Sequence, residues 1–260
     1  MSKASPKPRS RLVANWRAYF FAAIILVPFA FGVSEAISQH SESRYVAEMA
    51  RNIVRQANAT DTTSTIIALR DYLRRNVTAN NYPVVGRPFF RDTAAYALQT
   101  GNGRCGESTR AFINLAESLG IHAQRLYLEG ELEHVVALVT LSDGRQLIVD
   151  SIDPPYFLNI EEFHQGTRYP DFNYYSSVNL HRWLKKPSLP ANTYDPPGLS
   201  YFVENPHALK ALFYFSLSFG CSGIFASRRI RRYVRARRAT SIPPTATVTS
   251  RSPALAAIDQ

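Results

Sequence analysis

Three residues of this sequence, Cys105, His134 and Asp150, have the side chains and the chain order of a thiol-based catalytic triad. In such a triad a thiolate attacks a carbonyl carbon, an imidazole takes up and returns the proton, and a carboxylate holds the imidazole in one tautomer. Only His134, among six histidines, begins a predicted strand that an aspartate follows one hairpin later. The pattern indicates acyl-transfer chemistry at a cysteine.

The position of Cys105 favours a reactive thiol. A glycine-rich break over 100–104 (TGNGR) ends immediately before it, and a predicted helix over 105–119 begins there. Amide N–H groups and the helix dipole at such a start stabilise a thiolate, and Arg104 adds positive charge. The chain's other cysteine, Cys221, lies in an apolar run, so Cys105 is the one thiol of the middle region. The alternative is a buried thiol that only packs.

The elements that must position these residues follow from the spacing of apolar residues. Helices are predicted over 41–58, 63–77, 92–99 and 105–119, with a loop over 80–92. The pattern then changes to β-rich segments at Ile121–Glu129, His134–Leu141 and Gln146–Asp150, joined by hairpin signals. Beyond Pro154 the chain is rich in proline and aromatic residues, and we expect irregular structure packed on the sheet. Helices followed by an antiparallel meander make an α+β domain.

The segment from about 92 to 155 resembles the transglutaminase-like cysteine enzymes. The resemblance is carried by Gly103-x-Cys105, by the helix end Ser118–Leu119–Gly120–Ile121, and by the order and spacing of the cysteine, histidine and aspartate. It implies a papain-like core, of a membrane-anchored bacterial type, in which the cysteine begins a helix and the other two residues lie on successive strands. It also implies that Cys105 is the nucleophile, His134 the acid–base group and Asp150 its partner.

Two assignments within this site have alternatives. Asp153 precedes a proline, as the family's aspartate usually does, but up to about 10 Å of extended chain separates it from Asp150, which closes the predicted strand. We therefore expect Asp150 to bind the imidazole. The oxyanion donor is either the amide of Cys105 or the side chain of Gln99, which otherwise is a solvated residue closing a short helix.

No cofactor or metal is expected. Glu129, Glu131 and Glu133 alternate beside His134, so a strand would place them on one face. They could hold a metal or a cationic substrate, but a solvated hairpin edge is the favoured interpretation. Two cysteines in the chain exclude both a disulfide framework and a four-cysteine metal cluster.

The formal charge of +10 is confined to the two ends of the chain. Charges nearly balance over 38–206, which argues against a nucleic-acid-binding domain. Inboard of each basic end lies an uncharged apolar run, Ala18–Val33 and Ala211–Ala226, and flanking residues extend each to the length of a membrane span. The alternatives are a cleaved signal peptide for the first run, with Ala30–Phe31–Gly32 as the cleavage site, and a buried core helix for the second.

These features predict five regions. A basic cytoplasmic tail occupies 1–15, membrane helices occupy 16–37 and 207–227, the extracytoplasmic domain occupies 38–206, and a second basic cytoplasmic tail occupies 228–260. The orientation follows from the positive-inside rule. Seven arginines between 228 and 238 could also contact anionic membrane lipid.

The expected function is that of a cysteine peptidase, amidase or acyltransferase. It would act on amide or ester bonds of an envelope peptide or protein through a thioester, with water or an amine as acceptor. The alternative is a binding or scaffold module with the same fold and an inactive triad. Labelling of Cys105 by a thiol probe, and its dependence on His134, separates the two.

The charge asymmetry yields a topology prediction. Reporter fusions at positions 5 and 245 should read cytoplasmic, because arginines and lysines crowd the outer end of both apolar runs. Fusions at 40 and 205 should read extracytoplasmic. A cytoplasmic signal at 205 would contradict the two-span organisation.

Overall fold

The computed structural model describes residues 9–78, 91–129, 134–152, 157–159, 173–175 and 199–240. The helices are α1 (Arg9–Gln56), α2 (Thr62–Asn76), α3 (Ala94–Thr100), α4 (Cys105–Ser118), α5 (Leu199–Glu204) and α6 (Pro206–Thr240). The strands are β1 (His122–Glu129), β2 (His134–Thr140), β3 (Gln146–Val149), β4 (Phe157–Asn159) and β5 (Asn173–Tyr175). The combination of helices with an antiparallel sheet confirms the α+β prediction.

The first and last helices are long and apolar enough to cross a membrane. In α1 the predicted span and the predicted helix over 41–58 are one continuous helix, and α6 continues 13 residues past the predicted end of the second span at 227. Large apolar side chains are exposed along both helices, a surface that suits lipid and not water. They include Phe20, Leu26, Val27 and Phe31 on α1 and Leu212, Phe213, Phe219 and Ile224 on α6.

The described chain divides into two compact units. In the first, the part of α1 up to Ile25 packs with α6 from Leu217 onward. The rings of Phe21 and Phe225 lie 4.3 Å apart, and the Ser218 hydroxyl donates to the Ile25 carbonyl over 2.9 Å. The second unit, 26–216, holds the remaining elements and all three residues of the predicted triad.

An antiparallel sheet with the strand order β4-β3-β2-β1-β5 forms one layer of the second unit. The meander β1–β2–β3 has the predicted boundaries to within one residue. The prediction of irregular structure beyond Pro154 is wrong for β4, β5 and α5. The two added strands have three residues each, too few for an alternating pattern, and they form because the edges of the sheet offer unpaired backbone groups. α5 has only six residues, with prolines nearby on both sides, so its sequence carries no helical period.

Helix α4 is the centre of the second unit. It packs on β1 and β2 on one side and on α2 and α3 on the other. Its buried residues occupy every face of the helix, from Ser108 to Ala116, as expected of a helix enclosed by other elements. The hydroxyl of Thr109 donates to the carbonyl of Val135 over 2.9 Å and so fixes the start of α4 beside the start of β2.

The loop before α4 is held against the end of α2. Thr78 N–H donates to the Gly101 carbonyl over 2.8 Å, and Gly103 N–H donates to the Thr78 carbonyl over 3.0 Å. Gly101 ends α3 in the left-handed region at φ 67°, and a Cβ there would lie 2.7 Å from the Asn76 carbonyl oxygen. A Cβ on Gly103 would lie 2.9 Å from the Cβ of Glu107. The glycine-rich break is therefore required by close packing ahead of Cys105.

Replacing Gly101 by alanine should destabilise the protein more than the same change at Gly144. Both positions have positive φ, 67° and 85°, so each variant carries a backbone strain of about 1–2 kcal/mol. Only Gly101 also has a neighbour inside contact distance, which adds about 1–3 kcal/mol. Thermal unfolding of the purified chain in detergent measures the difference. Equal melting temperatures for Gly101→Ala and Gly144→Ala would contradict the close packing of this loop.

Candidate active site

Cys105 is the first residue of α4 and is partly accessible to solvent. Its thiol interacts with the His134 imidazole and with the backbone N–H groups of Gly106 and Val135. One of these amides belongs to the first turn of α4, and the other to the start of β2. The helix start and the strand start therefore present hydrogen-bond donors to the same sulfur atom.

His134 and Asp150 are joined by a hydrogen bond of 2.7 Å between Nε2 and Oδ2. The imidazole retains 16% of its exposure, and the carboxyl side chain retains 1%. The other carboxyl oxygen, Oδ1, accepts the N–H of Ile152 over 2.9 Å. Asp150 is thus fixed at both oxygens, one by the backbone that follows it and the other by the imidazole.

The register of the hairpin explains why these two residues meet. Ala137 pairs with Val149, so the position opposite His134 would be 152 and Asp150 is its diagonal neighbour. Diagonal neighbours on one face of an antiparallel pair are close enough for long or aromatic side chains to touch. His134 begins β2, as predicted, and Asp150 directly follows β3; the two-residue offset between them comes from the register.

The orientation of the imidazole follows from its partners. Nε2 bonds to Asp150, so the second ring nitrogen, Nδ1, is the one that faces the Cys105 thiol. A ring held in this way has one nitrogen on the carboxylate and the other on the nucleophile, which is the geometry an acid–base residue needs.

The site favours a thiolate–imidazolium pair. Burial by itself raises the pKa of Cys105, but the hydrogen bond and the charge of His134, with the two amides, lower it below its ordinary value. Burial by itself lowers the pKa of His134, but the bonds to Asp150 and Cys105 raise it to about 10. Since the pKa of Cys105 is lowered and that of His134 is raised, both shifts favour the charged pair over the neutral pair.

The other residues singled out from the sequence lie elsewhere. Gln99 is on the last turn of α3 with an exposed side chain, and its role as oxyanion donor remains a prediction. Glu131, Glu133 and Asp153 lie outside the described residues. Within the described ranges, no group of three His, Cys, Asp or Glu side chains is arranged to hold a metal.

Sequence reasoning missed a buried charged cluster next to Cys105. Arg125 donates to the Gly106 carbonyl over 2.8 Å and pairs with Glu204 in the short helix before α6. Nε of Arg110 on α4 lies 3.6 Å from an oxygen of the same carboxylate. The sequence does show a charged residue, Arg125, within a predicted strand. Its partner Glu204, however, is 79 residues away in the chain.

Part of this chain matches a family of known proteins. Residues 47–150 match the profile of the transglutaminase-like superfamily. Residues 47–150 form a transglutaminase-like core. The match includes Cys105 and His134 and ends at Asp150. The resemblance inferred from the sequence is thereby confirmed.

A solved structure from Cytophaga hutchinsonii, named a candidate cysteine protease, is also similar. It has 16% sequence identity and a TM-score of 0.36, and the alignment covers 42% of this chain and 37% of that protein. The present chain therefore matches little more than a third of that protein's length. No curated protein matches this sequence.

The ionisation of the site yields a pH prediction. In a Cys221→Ser background, the alkylation rate of Cys105 by iodoacetamide should reach half its maximum below the ordinary cysteine pKa of about 8.5. In His134→Ala the imidazole no longer stabilises the thiolate and burial remains, so the midpoint should move above that value. Rates measured from pH 4 to pH 11 test both expectations. A wild-type midpoint at the ordinary value would mean a packed structural thiol.

Proposed function

We propose that this chain is a membrane-anchored thiol enzyme that cleaves amide or ester bonds through Cys105, His134 and Asp150. The observation that supports the proposal best is the convergence of a cysteine with lowered pKa, an imidazole bridging to it, and a buried carboxylate 2.7 Å from that imidazole. A packed structural cysteine needs none of these partners. The transglutaminase-like core adds support from the family.

The reaction begins with attack of the Cys105 sulfur on the carbonyl carbon. The C=O π electrons move to oxygen, and a donor such as the amide of Cys105 itself or Gln99 stabilises the oxyanion. The imidazolium of His134 gives its Nδ1 proton to the leaving nitrogen or oxygen as the bond to carbon breaks. The acyl group then remains on sulfur as a thioester, and the leaving group departs as an amine or alcohol.

The second half of the reaction returns the enzyme to its starting state. The neutral imidazole takes a proton from the acceptor, which attacks the thioester carbon and displaces the Cys105 thiolate. Water as acceptor gives a carboxylic acid, so the enzyme is a peptidase or amidase. An amine gives a new amide, so it is an acyltransferase. Throughout, Asp150 holds the imidazole so that one nitrogen always faces the sulfur.

We assign the substrate to the cell envelope on the basis of the flanking helices. Both are long and apolar enough to span a membrane, and their basic ends favour a cytoplasmic location for both tails. The catalytic domain then faces the extracytoplasmic side, where envelope peptides and proteins are the available amides. The arginine-rich end of α6 would contact anionic headgroups on the other side.

The experiment is to trap the acyl-enzyme. Membranes containing the Cys221→Ser chain are incubated with envelope extract, quenched with acid and digested, and the Cys105 peptide is examined by mass spectrometry. An acyl adduct on Cys105 that is absent from His134→Ala supports the enzyme. No adduct, with equally slow iodoacetamide labelling of both chains, would support the inactive scaffold instead.

Asp150→Asn should reduce the rate of acyl-adduct formation by about two orders of magnitude or more, by analogy with serine triads, because the amide favours the wrong tautomer of the imidazole. Asp153→Asn is the matched control, and it should change stability by about 1 kcal/mol or less and leave the rate nearly unchanged. The acyl adduct is quantified over time in both variants. Loss of activity in a folded Asp153→Asn chain, with Asp150→Asn active, would reverse the assignment.

A further inference from the structure

Three charged side chains are buried together behind the start of α4. Arg110, Arg125 and Glu204 are each at most 2% exposed. Arg125 binds Glu204 through two parallel hydrogen bonds, 2.6 Å from Nε to Oε1 and 2.7 Å from Nη2 to Oε2. The Nε atom of Arg110 lies 3.6 Å from Oε2 of the same carboxylate. We call these three residues the buried ion cluster.

The cluster is not explained by stability alone. Removing charges from water is costly, and well-packed apolar residues often give equal or greater stability than a buried ion pair. The carboxylate is nonetheless ionised, because the two guanidinium groups hold the pKa of Glu204 below its ordinary value although burial acts in the opposite direction. A charge kept in the interior at this cost points to a positional role.

The cluster reaches the nucleophile through one backbone group. Nη2 of Arg125 donates to the carbonyl of Gly106 over 2.8 Å, in addition to its bond to Glu204. Gly106 follows Cys105 directly, and its N–H is one of the donors to the sulfur. The Arg125 guanidinium also packs against the face of Gly106, since a Cβ there would lie 3.4 Å from Nη1.

The same cluster fastens α5 to α4. Arg110 extends from α4 to Glu204, and the side-chain amide of Asn114, one turn later, donates to the Glu204 backbone carbonyl over 3.2 Å. Glu204 is the last residue of α5, and α6 begins two residues later at Pro206. The segment immediately before the second apolar helix is therefore in direct contact with the nucleophile helix.

We infer that Arg125 and Glu204 are positioning residues that hold the peptide groups around Cys105 in their reactive orientation, and that 199–206 is an integral part of the active site. Glu204 fixes the guanidinium, and the guanidinium fixes the Gly106 carbonyl. Of the three cluster residues, Glu204 alone lies outside the profile match, which ends at Asp150. The inference rests on the thiol chemistry proposed above.

The test compares variants of the full chain in detergent, all carrying Cys221→Ser. Arg125→Lys keeps the charge but cannot bind both carboxylate oxygens and the Gly106 carbonyl at once. The double variant Glu204→Gln with Arg125→Met removes one charge of each sign, so Arg110 remains balanced by Glu107 at 3.9 Å. Arg145→Lys is the matched control, because Arg145 forms an equally short ion pair with Asp143 in an exposed hairpin turn.

Two readouts are measured, the pH midpoint of iodoacetamide labelling and the hydrolysis of p-nitrophenyl acetate. In both cluster variants the midpoint should rise by about one unit, which lowers the labelling rate about tenfold at pH values below both midpoints. The kcat for the ester should fall about 10- to 100-fold with KM changed less than about threefold, because orientation and not binding is lost. The control should match the parent chain in both.

A merely structural cluster gives a different result. In that case the substitutions would lower the folded fraction, and hence the amount of labelled protein, without moving the pH midpoint of labelling. Folded cluster variants with the parental midpoint and kcat would overturn the inference, and so would failure of both variants to fold. If the parent chain itself has an ordinary labelling midpoint and no ester turnover, the proposed function is wrong. This outcome can be told apart from failure of the inference because it is seen in the chain that still carries Arg125 and Glu204.

Discussion

The hydrogen bond between His134 and Asp150 is the interaction on which the ionisation of this site depends. It is made by a carboxylate that is almost completely buried, so little water competes for either oxygen. It holds the proton on the imidazole at neutral pH, and the charged imidazole in turn lowers the pKa of Cys105. Without it, burial would favour the neutral forms of both groups.

That hydrogen bond can act only if the sulfur stands at a fixed place beside the ring. Three sets of contacts converge on the start of α4 to ensure this. The loop before it is held by Thr78, its second turn is held by Thr109 on the Val135 carbonyl, and its Gly106 carbonyl is held by Arg125. Each contact comes from a different element, namely the end of α2, β2 and β1. The position of Cys105 therefore depends on the packing of the whole unit.

Most of this arrangement could be predicted from the sequence where the signal is local. The bounds of α2, α4 and the first three strands follow from apolar spacing, and the glycines before Cys105 mark a tight loop. The triad residues could be chosen because each lies at the end of such an element. The short strands and α5 could not be predicted, because three to six residues among prolines carry no period, and their form is set by the elements they meet.

The buried ion cluster is the clearest case of what local patterns omit. Arg125 in a strand and Arg110 in a helix look like solvated charges, and the pairing of Arg110 with Glu107, one helical turn away, does not reveal that both arginines are buried. Their partner, Glu204, is supplied by the short helix that leads directly into α6. If α6 crosses the membrane, as proposed, Glu204 lies only two residues before the helix that crosses it. The chain that leads into the second apolar helix thus also carries the carboxylate that binds Arg125, and Arg125 links it to the residue that follows Cys105.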